Sequence, residues 1–323
     1  MNQDKIIEIL MATYNGEKYI SEQIDSIINQ TCKNWKLLIR DDGSQDKTLE
    51  ILEGYEKRDK RINILRDIKG NLGFVKNFEE LLKNSSEEFI MFSDQDDYWM
   101  ENKIEIYINE LGTLSEKEQK MPLLIHSNSF VCDENLNVKK KEFINSKIAE
   151  HYKKNSYFFS YIVQGSTVLI NKELMDIGLP FLKNVTLHDR YFHLLAEFLG
   201  KRIFISKSLI KYRQHSGNEI GAKGSIIKKI LKKRYFDRED RELIVEIQKK
   251  YKNRISEKFL LTLALCFGII GAVLGMKVFR HKTKKNSFKI SITLIIIIQL
   301  IIIYLVFTNK GILDVIINLI GIW

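Results

Sequence analysis

Four short apolar runs, Ile6 to Met11, Trp35 to Ile39, Ile62 to Leu65 and Phe89 to Phe92, alternate with segments whose apolar residues recur at helical spacing. Tyr19, Ile20, Ile24, Ile27 and Ile28 mark one face of a first helix, Leu49, Ile51, Leu52 and Tyr55 one of a second, and Phe74, Phe78, Leu81 and Leu82 one of a third. Runs this short suit strands, so the pattern is β-α repeated, and parallel strands covered by helices follow. In such a sheet ligands bind beyond the carboxyl ends of the strands. At those ends stand Thr13-Tyr14-Asn15-Gly16, Asp41-Asp42-Gly43-Ser44 and Ser93-Asp94-Gln95-Asp96-Asp97, three polar clusters converging on one edge.

Neither a G-x-G-x-x-G turn nor a G-x-x-x-x-G-K-[ST] loop is present, which argues against dinucleotide oxidoreductases and phosphate-loop NTPases. A nucleotide would have to be held another way, and the obvious one is a divalent cation that neutralises a diphosphate. Asp94, Asp96 and Asp97 offer the hard oxygen ligands that Mg²⁺ or Mn²⁺ prefers. Three carboxylates within four residues also repel one another unless a cation or strong donors compensate.

The other clusters each admit two readings. Asp41 to Ser44 makes an ordinary turn and helix start as readily as a ligand loop. Asp189, ahead of the apolar helical stretch Tyr191 to Leu199, stands at a helix start, where capping is the ordinary role and a functional one the alternative. His215 ends a predicted strand, Ser208 to Tyr212, as a surface residue or a nitrogen ligand to the same metal. Gly165, before the apolar run Val168 to Ile170, marks a bulge or a close approach of backbone to ligand.

The C-terminal part has a different composition. Phe259 to Met276 and Ile290 to Phe307 are each eighteen residues without a charge, enough to cross a bilayer. The net charge of +10 concentrates around them: residues 223–258 hold thirteen Lys or Arg against six Asp or Glu, and residues 277–289 six more with no acid. The expected organisation is therefore a catalytic domain over 1–222, a basic juxtamembrane segment over 223–258, and a membrane hairpin with an interfacial tail over 259–323. A spanning hairpin would put the basic 277–289 loop outside, against the tendency of Lys and Arg to stay cytoplasmic; an interfacial or re-entrant first segment removes that conflict. Three cysteines without metal-ligand spacing, and an N-terminus lacking a cationic lead, lead us to expect a catalytic domain in the cytosol.

In order and spacing the clusters from Ile6 to about Gly221 resemble the inverting glycosyltransferases of family 2, with T-Y-N, D-D-G-S and D-x-D in place. The blocks FSDQDDYW (Phe92 to Trp99), QGST (Gln164 to Thr167), HDRY (His188 to Tyr191) and YRQH (Tyr212 to His215) look most like the bacterial rhamnosyltransferase branch, which often has tryptophan at or beside Tyr191. The resemblance implies the GT-A fold, a Rossmann-like, mostly parallel α/β sheet. It implies that Thr13, Tyr14, Asn15, Asp41, Asp42, Asp94, Gln95 and Asp96 contact the nucleotide-sugar, and that Asp96, completed by His215, binds Mg²⁺ or Mn²⁺. It implies that Asp189 is the general base and that Asp97, Trp99, Gln164, Gly165, Ser166, His188 and Arg213 line the donor or acceptor pocket.

The expected activity is inverting transfer of a sugar, rhamnose from dTDP-rhamnose first, to a lipid-linked glycan at the cytoplasmic membrane face. A UDP-hexose or UDP-N-acetylhexosamine donor is the alternative within the family. A non-catalytic membrane adaptor is the alternative outside it, opposed by the carboxylate clusters. No nucleic-acid partner is expected, because the positive charge flanks apolar segments rather than a folded binding face.

Overall fold

A computed structural model describes residues 5–145, 163–215 and 238–251, with residues 294 and 297 as single positions. The chain divides into two compact units, Met1–Ile247 and Gln248–Trp323. The two eighteen-residue apolar segments and the basic run between them lie outside the described residues, apart from Leu294 and Ile297, which are helical and exposed. Among the described residues no helix is long and apolar enough to cross a membrane.

The first unit opens with the expected alternation: β1 (Ile7–Thr13), α1 (Ile20–Ile28), β2 (Trp35–Asp41), α2 (Thr48–Arg58), β3 (Ile62–Ile64), α3 (Phe74–Lys83) and β4 (Phe89–Ser93). β1 and β4 are covered on both faces, which is why β4 reads as an almost wholly apolar run and β1 as one interrupted by the buried Glu8, rather than as alternating strands. These four strands are mutually parallel in the order β3-β2-β1-β4. Their register sets Thr13 beside Asp41 and Ser93 beside Met11, so the three polar clusters begin at nearly one level of the sheet edge.

The second half corrects the expectation of a mostly parallel sheet. β5 (Tyr98–Trp99), α4 (Lys103–Gly112), α5 (Glu116–Gln119), β6 (Leu123–Cys132) and β7 (Val138–Lys140) precede a 3-10 turn at Gly165–Thr167. β8 (Val168–Asn171), α6 (Lys172–Gly178), α7 (His188–Leu199) and β9 (Lys201–Arg213) follow, and α8 (Arg238–Lys250) comes last. β8 runs antiparallel between β4 and β6, β5 antiparallel beside β9, and only β6 and β9 are parallel to each other. The sheet is mixed because β8 enters between β4 and β6 against the direction of both neighbours.

Candidate active site

The first two loops are stitched together by side chains. Thr13 Oγ1 donates to Asp41 Oδ1 at 2.9 Å, and Asp41 also accepts from the Ser44 amide at 2.8 Å and the Ser44 hydroxyl at 2.6 Å. Asn15, at φ 47°, accepts from the Gln45 amide at 2.8 Å and donates its own amide to Ser44 Oγ at 2.8 Å. Gly43 takes φ 84°, a left-handed conformation that favours glycine. The Tyr14 ring, 46% exposed, projects from this frame.

The fourth-strand loop joins the frame through Gln95, whose side chain accepts from the Tyr14 amide at 2.9 Å and donates to the Tyr14 carbonyl at 3.0 Å. A side chain at Gly16 would collide with Gln95 Oε1, so Gly16 is what lets the two loops close. Asp96 Oδ2 lies 2.8 Å from His215 Nε2, and the His215 ring packs on Tyr19 with centroids 4.7 Å apart. Folding brings Asp96 and His215 together across 119 residues.

Arg213 holds the acidic loop rather than lining a pocket. Its amide donates to Asp97 Oδ1 at 3.0 Å and its Nε to the Asp96 carbonyl at 2.7 Å, while its remaining nitrogens reach the Glu134 carbonyl and the Glu22 carboxylate. Asp97 is wholly buried. Burial and then the Asp96 charge push the Asp97 carboxyl up to about 7. Burial, then the charges of Asp97, Asp96 and Asp189, drive the Asp94 carboxyl well above its ordinary range. A compact negative cluster of this kind is completed by positive charge.

Asp189 sits in the first turn of α7 and is buried, its Oδ1 accepting from the Arg190 amide at 2.6 Å. Its charge is among those that raise the Asp94 carboxyl, after burial, Asp97 and Asp96. The turn carrying Gln164, Gly165 and Ser166 lies directly against it: a Cβ at Gly165 would stand 3.1 Å from His188 Nε2 and 3.7 Å from Asp189 Oδ2. Gln164 accepts from Ser129 Oγ at 2.5 Å, which fixes the turn's near end.

Two expected ligands face elsewhere. Asp42 accepts from Arg40 at 2.6 Å and from the Leu72 and Gly73 amides at 2.8 Å each, so its carboxylate shapes the loop before α3. His188 is packed among aromatic rings, stacked on Phe78 at 4.0 Å with Phe92 edge-on at 4.7 Å. Among the described residues neither of its nitrogens has a partner, and burial lowers its pKa to about 3. Beside it a cleft of about 630 Å³ opens between Leu72, Gly73 and Phe74 on one side and Val185, Thr186 and Leu187 on the other.

Lys103, Tyr107, Tyr19 and Arg40 belong to this site or its frame, and the sequence reading assigned them no such role. Lys103 is fully buried on α4, with Nζ 3.2 Å from the Trp99 ring centroid and 2.7 Å from the Ser166 carbonyl. Its signal lay in the spacing Lys103, Tyr107, Leu111, which puts a lysine on the apolar face of a helix.

Among the described residues no three His, Cys, Asp or Glu side chains are grouped to hold a metal ion. Asp96 and His215 nevertheless fit one: a carboxylate and an imidazole suit a cation whose other ligands come from a bound diphosphate and water.

A model described as Glycosyl transferase family 2 matches residues 8–115, and one described as Protein of unknown function (DUF1294) matches residues 248–288. The dTDP-rhamnosyl transferase RfbG of Shigella flexneri is 28% identical over 311 residues, 90% of this chain and 100% of the relative. The Escherichia coli UDP-Glc:alpha-D-GlcNAc-diphosphoundecaprenol beta-1,3-glucosyltransferase WfgD is 41% identical over 109 residues, 33% of this chain and 41% of the relative. Among solved structures, S. aureus TarS 1-349 in complex with UDP-GlcNAc superposes with a TM-score of 0.53 at 19% identity, covering 75% of this chain and 66% of the other. The mannosyltransferase PcManGT from Pyrobaculum calidifontis, in complex with GDP-Man and Mn2+, gives 0.51 at 14% identity, covering 90% and 86%. At these identities the structural likeness concerns the fold, which is GT-A-like with a mixed sheet.

Proposed function

Starting from a chain that belongs to glycosyl transferase family 2, we propose that it transfers a sugar with inversion from a nucleoside diphosphate donor to a lipid-linked glycan, with Asp189 as general base. The observation that carries this reading is the Asp189 carboxylate, buried in the first turn of α7 with the glycine backbone of the Gly165 turn against it.

The loops formed by Thr13, Asn15, Asp41 and Gln95 preorganise a surface for the nucleotide, from which the exposed Tyr14 ring is available to stack on a base. Asp96 and His215 would hold Mg²⁺ or Mn²⁺, which when bound stabilises the charge that develops on the leaving diphosphate. Arg213 keeps the Asp96 and Asp97 backbone in place for that task. Asp189 accepts the proton of the acceptor hydroxyl as it attacks the anomeric carbon on the face opposite the leaving group. The fixed Gly165 turn limits how far the α7 start can shift.

For the donor, dTDP-rhamnose is the first reading, supported by likeness to RfbG along the full length of that relative. A UDP-hexose is the second, supported by the higher identity to WfgD over a shorter stretch, and that relative's name also motivates the lipid diphosphate-linked acceptor. The apolar and basic C-terminal segments support attachment to the membrane, with the catalytic unit on its cytoplasmic side.

The test is turnover of dTDP-rhamnose, UDP-glucose and UDP-N-acetylglucosamine by detergent-solubilised full-length protein, with Mg²⁺ or Mn²⁺ and a lipid diphosphate-linked N-acetylglucosamine acceptor. Metal-dependent release of dTDP, lost in Asp96→Ala, supports the rhamnosyl reading; release of UDP alone moves the donor to a UDP-hexose. Absence of both turnover and nucleotide binding would overturn the enzymatic reading in favour of a non-catalytic adaptor.

A further inference from the structure

A fully buried lysine is an unusual core residue, because an ammonium removed from water is unfavourable unless charge or hydrogen bonds compensate. Lys103 keeps a hydrogen bond and an aromatic face. Its Nζ donates to the Ser166 carbonyl at 2.7 Å and rests 3.2 Å from the Trp99 ring centroid. Burial holds its pKa well below the ordinary lysine range, with the Asp97 and Asp94 charges opposing that shift. One helical turn further along α4, Tyr107 donates to the next carbonyl, that of Thr167. One face of α4 therefore grips two successive carbonyls of the 3-10 turn, whose Gly165 lies against His188 and Asp189.

We propose that Lys103 is a positioning residue for sugar transfer: through its bond to the Ser166 carbonyl it is the brace that seats the Gly165 turn against Asp189. This rests on the reading of Asp189 as base. A hydrophobic residue of similar length would fill the space without making that bond.

Lys103→Met keeps the volume and removes the charge and the hydrogen bond. The expected result is a kcat lower by about 10- to 100-fold for whichever of the three donors turns over, with the affinity for dTDP or UDP within about threefold of the parent. Placed on Asp189→Asn, the same substitution lowers the residual rate no further, because a brace acts only through the base it positions. Unchanged kcat, or a loss confined to nucleotide affinity, overturns the proposal. Amide hydrogen exchange reads the brace without turnover: exchange should quicken in peptides covering residues 163–170 and 186–191, and unchanged protection there also overturns it. If Lys103→Met does not fold, Tyr107→Phe removes the neighbouring tether without stranding a charge, and faster exchange over the same peptides is required. A normal rate in Asp189→Asn alone would reject the base assignment while leaving the exchange result to judge the brace.

Discussion

At the scale of single residues, the site depends on where carboxylates are buried and what stands beside them. Asp189→Asn retains the size and removes the basicity, so transfer should fall by roughly 10²- to 10⁴-fold while nucleoside diphosphate affinity changes little; steady-state kinetics beside equilibrium titration with dTDP and UDP checks it. Gly165 has a different role, that of space. A methyl there would sit 3.1 Å from His188 Nε2, so Gly165→Ala should force the start of α7 to shift by a few tenths of an ångström. The expected outcome is a kcat reduced several-fold with a stability loss of about 1–3 kcal/mol, measured by rate and by urea unfolding. Lys103 illustrates why some functional residues stay hidden in a sequence: nothing in its identity distinguishes a buried brace from a surface lysine, and only the helix face it occupies does.

Among the elements, the loop between β3 and α3 shows a candidate ligand recruited to local architecture. Arg40, buried on β2, donates to Asp42 at 2.6 Å, to Asp67 at 2.8 Å and to the Gly70 carbonyl at 2.9 Å, while Asp42 receives the Leu72 and Gly73 amides. This network ties the end of β2 to the start of α3, one wall of the cleft beside α7. Arg40→Met would leave the buried Asp42 carboxylate without its cation. Breaking such a pair costs roughly 3–5 kcal/mol, so the variant should show that loss in denaturant unfolding and a lower affinity for donor nucleotide. Conversion of both groups, Arg40→Met with Asp42→Asn, should recover part of the stability.

For the whole molecule, buried titratable groups pull stability in opposite directions with pH. His188 and His193 are buried with pKa values lowered to about 3 and about 4, first by burial, against an ordinary value of 6.5. Between about pH 6.5 and pH 4 the unfolded chain therefore binds more protons than the folded one. Their contribution is complete above that window and is lost as pH falls through it. Asp97, raised to about 7, and Asp94, raised by burial and like charge, act the other way, favouring the folded state as pH falls. The opposition flattens the curve, so each group is best read as a difference between variants. His188→Phe should gain about 1.4 kcal/mol per pH unit relative to the parent between pH 6.5 and pH 5, measured by urea unfolding at several pH values.

The β-α alternation and the edge of the sheet that carries chemistry were legible in residues 6–97 because each rests on local information: apolar periodicity, short runs and polar clusters immediately after strands. Strand β4, with its uninterrupted Phe89 to Phe92, was readable on that basis; β6 and α4 fell in a stretch to which the sequence reading assigned no elements, and the mixed sheet direction was missed with them. Tertiary structure alone decided what each polar side chain faces. It joined Asp96 to His215, turned Asp42 and Arg213 into struts, packed His188 among rings and buried Lys103 between the Trp99 ring and the Ser166 carbonyl. The physical reason is range: propensity and periodicity act over a few neighbours, whereas hydrogen bonds and charges act between residues brought together from across the chain, and a carboxylate's role is set by the group that folding places opposite it.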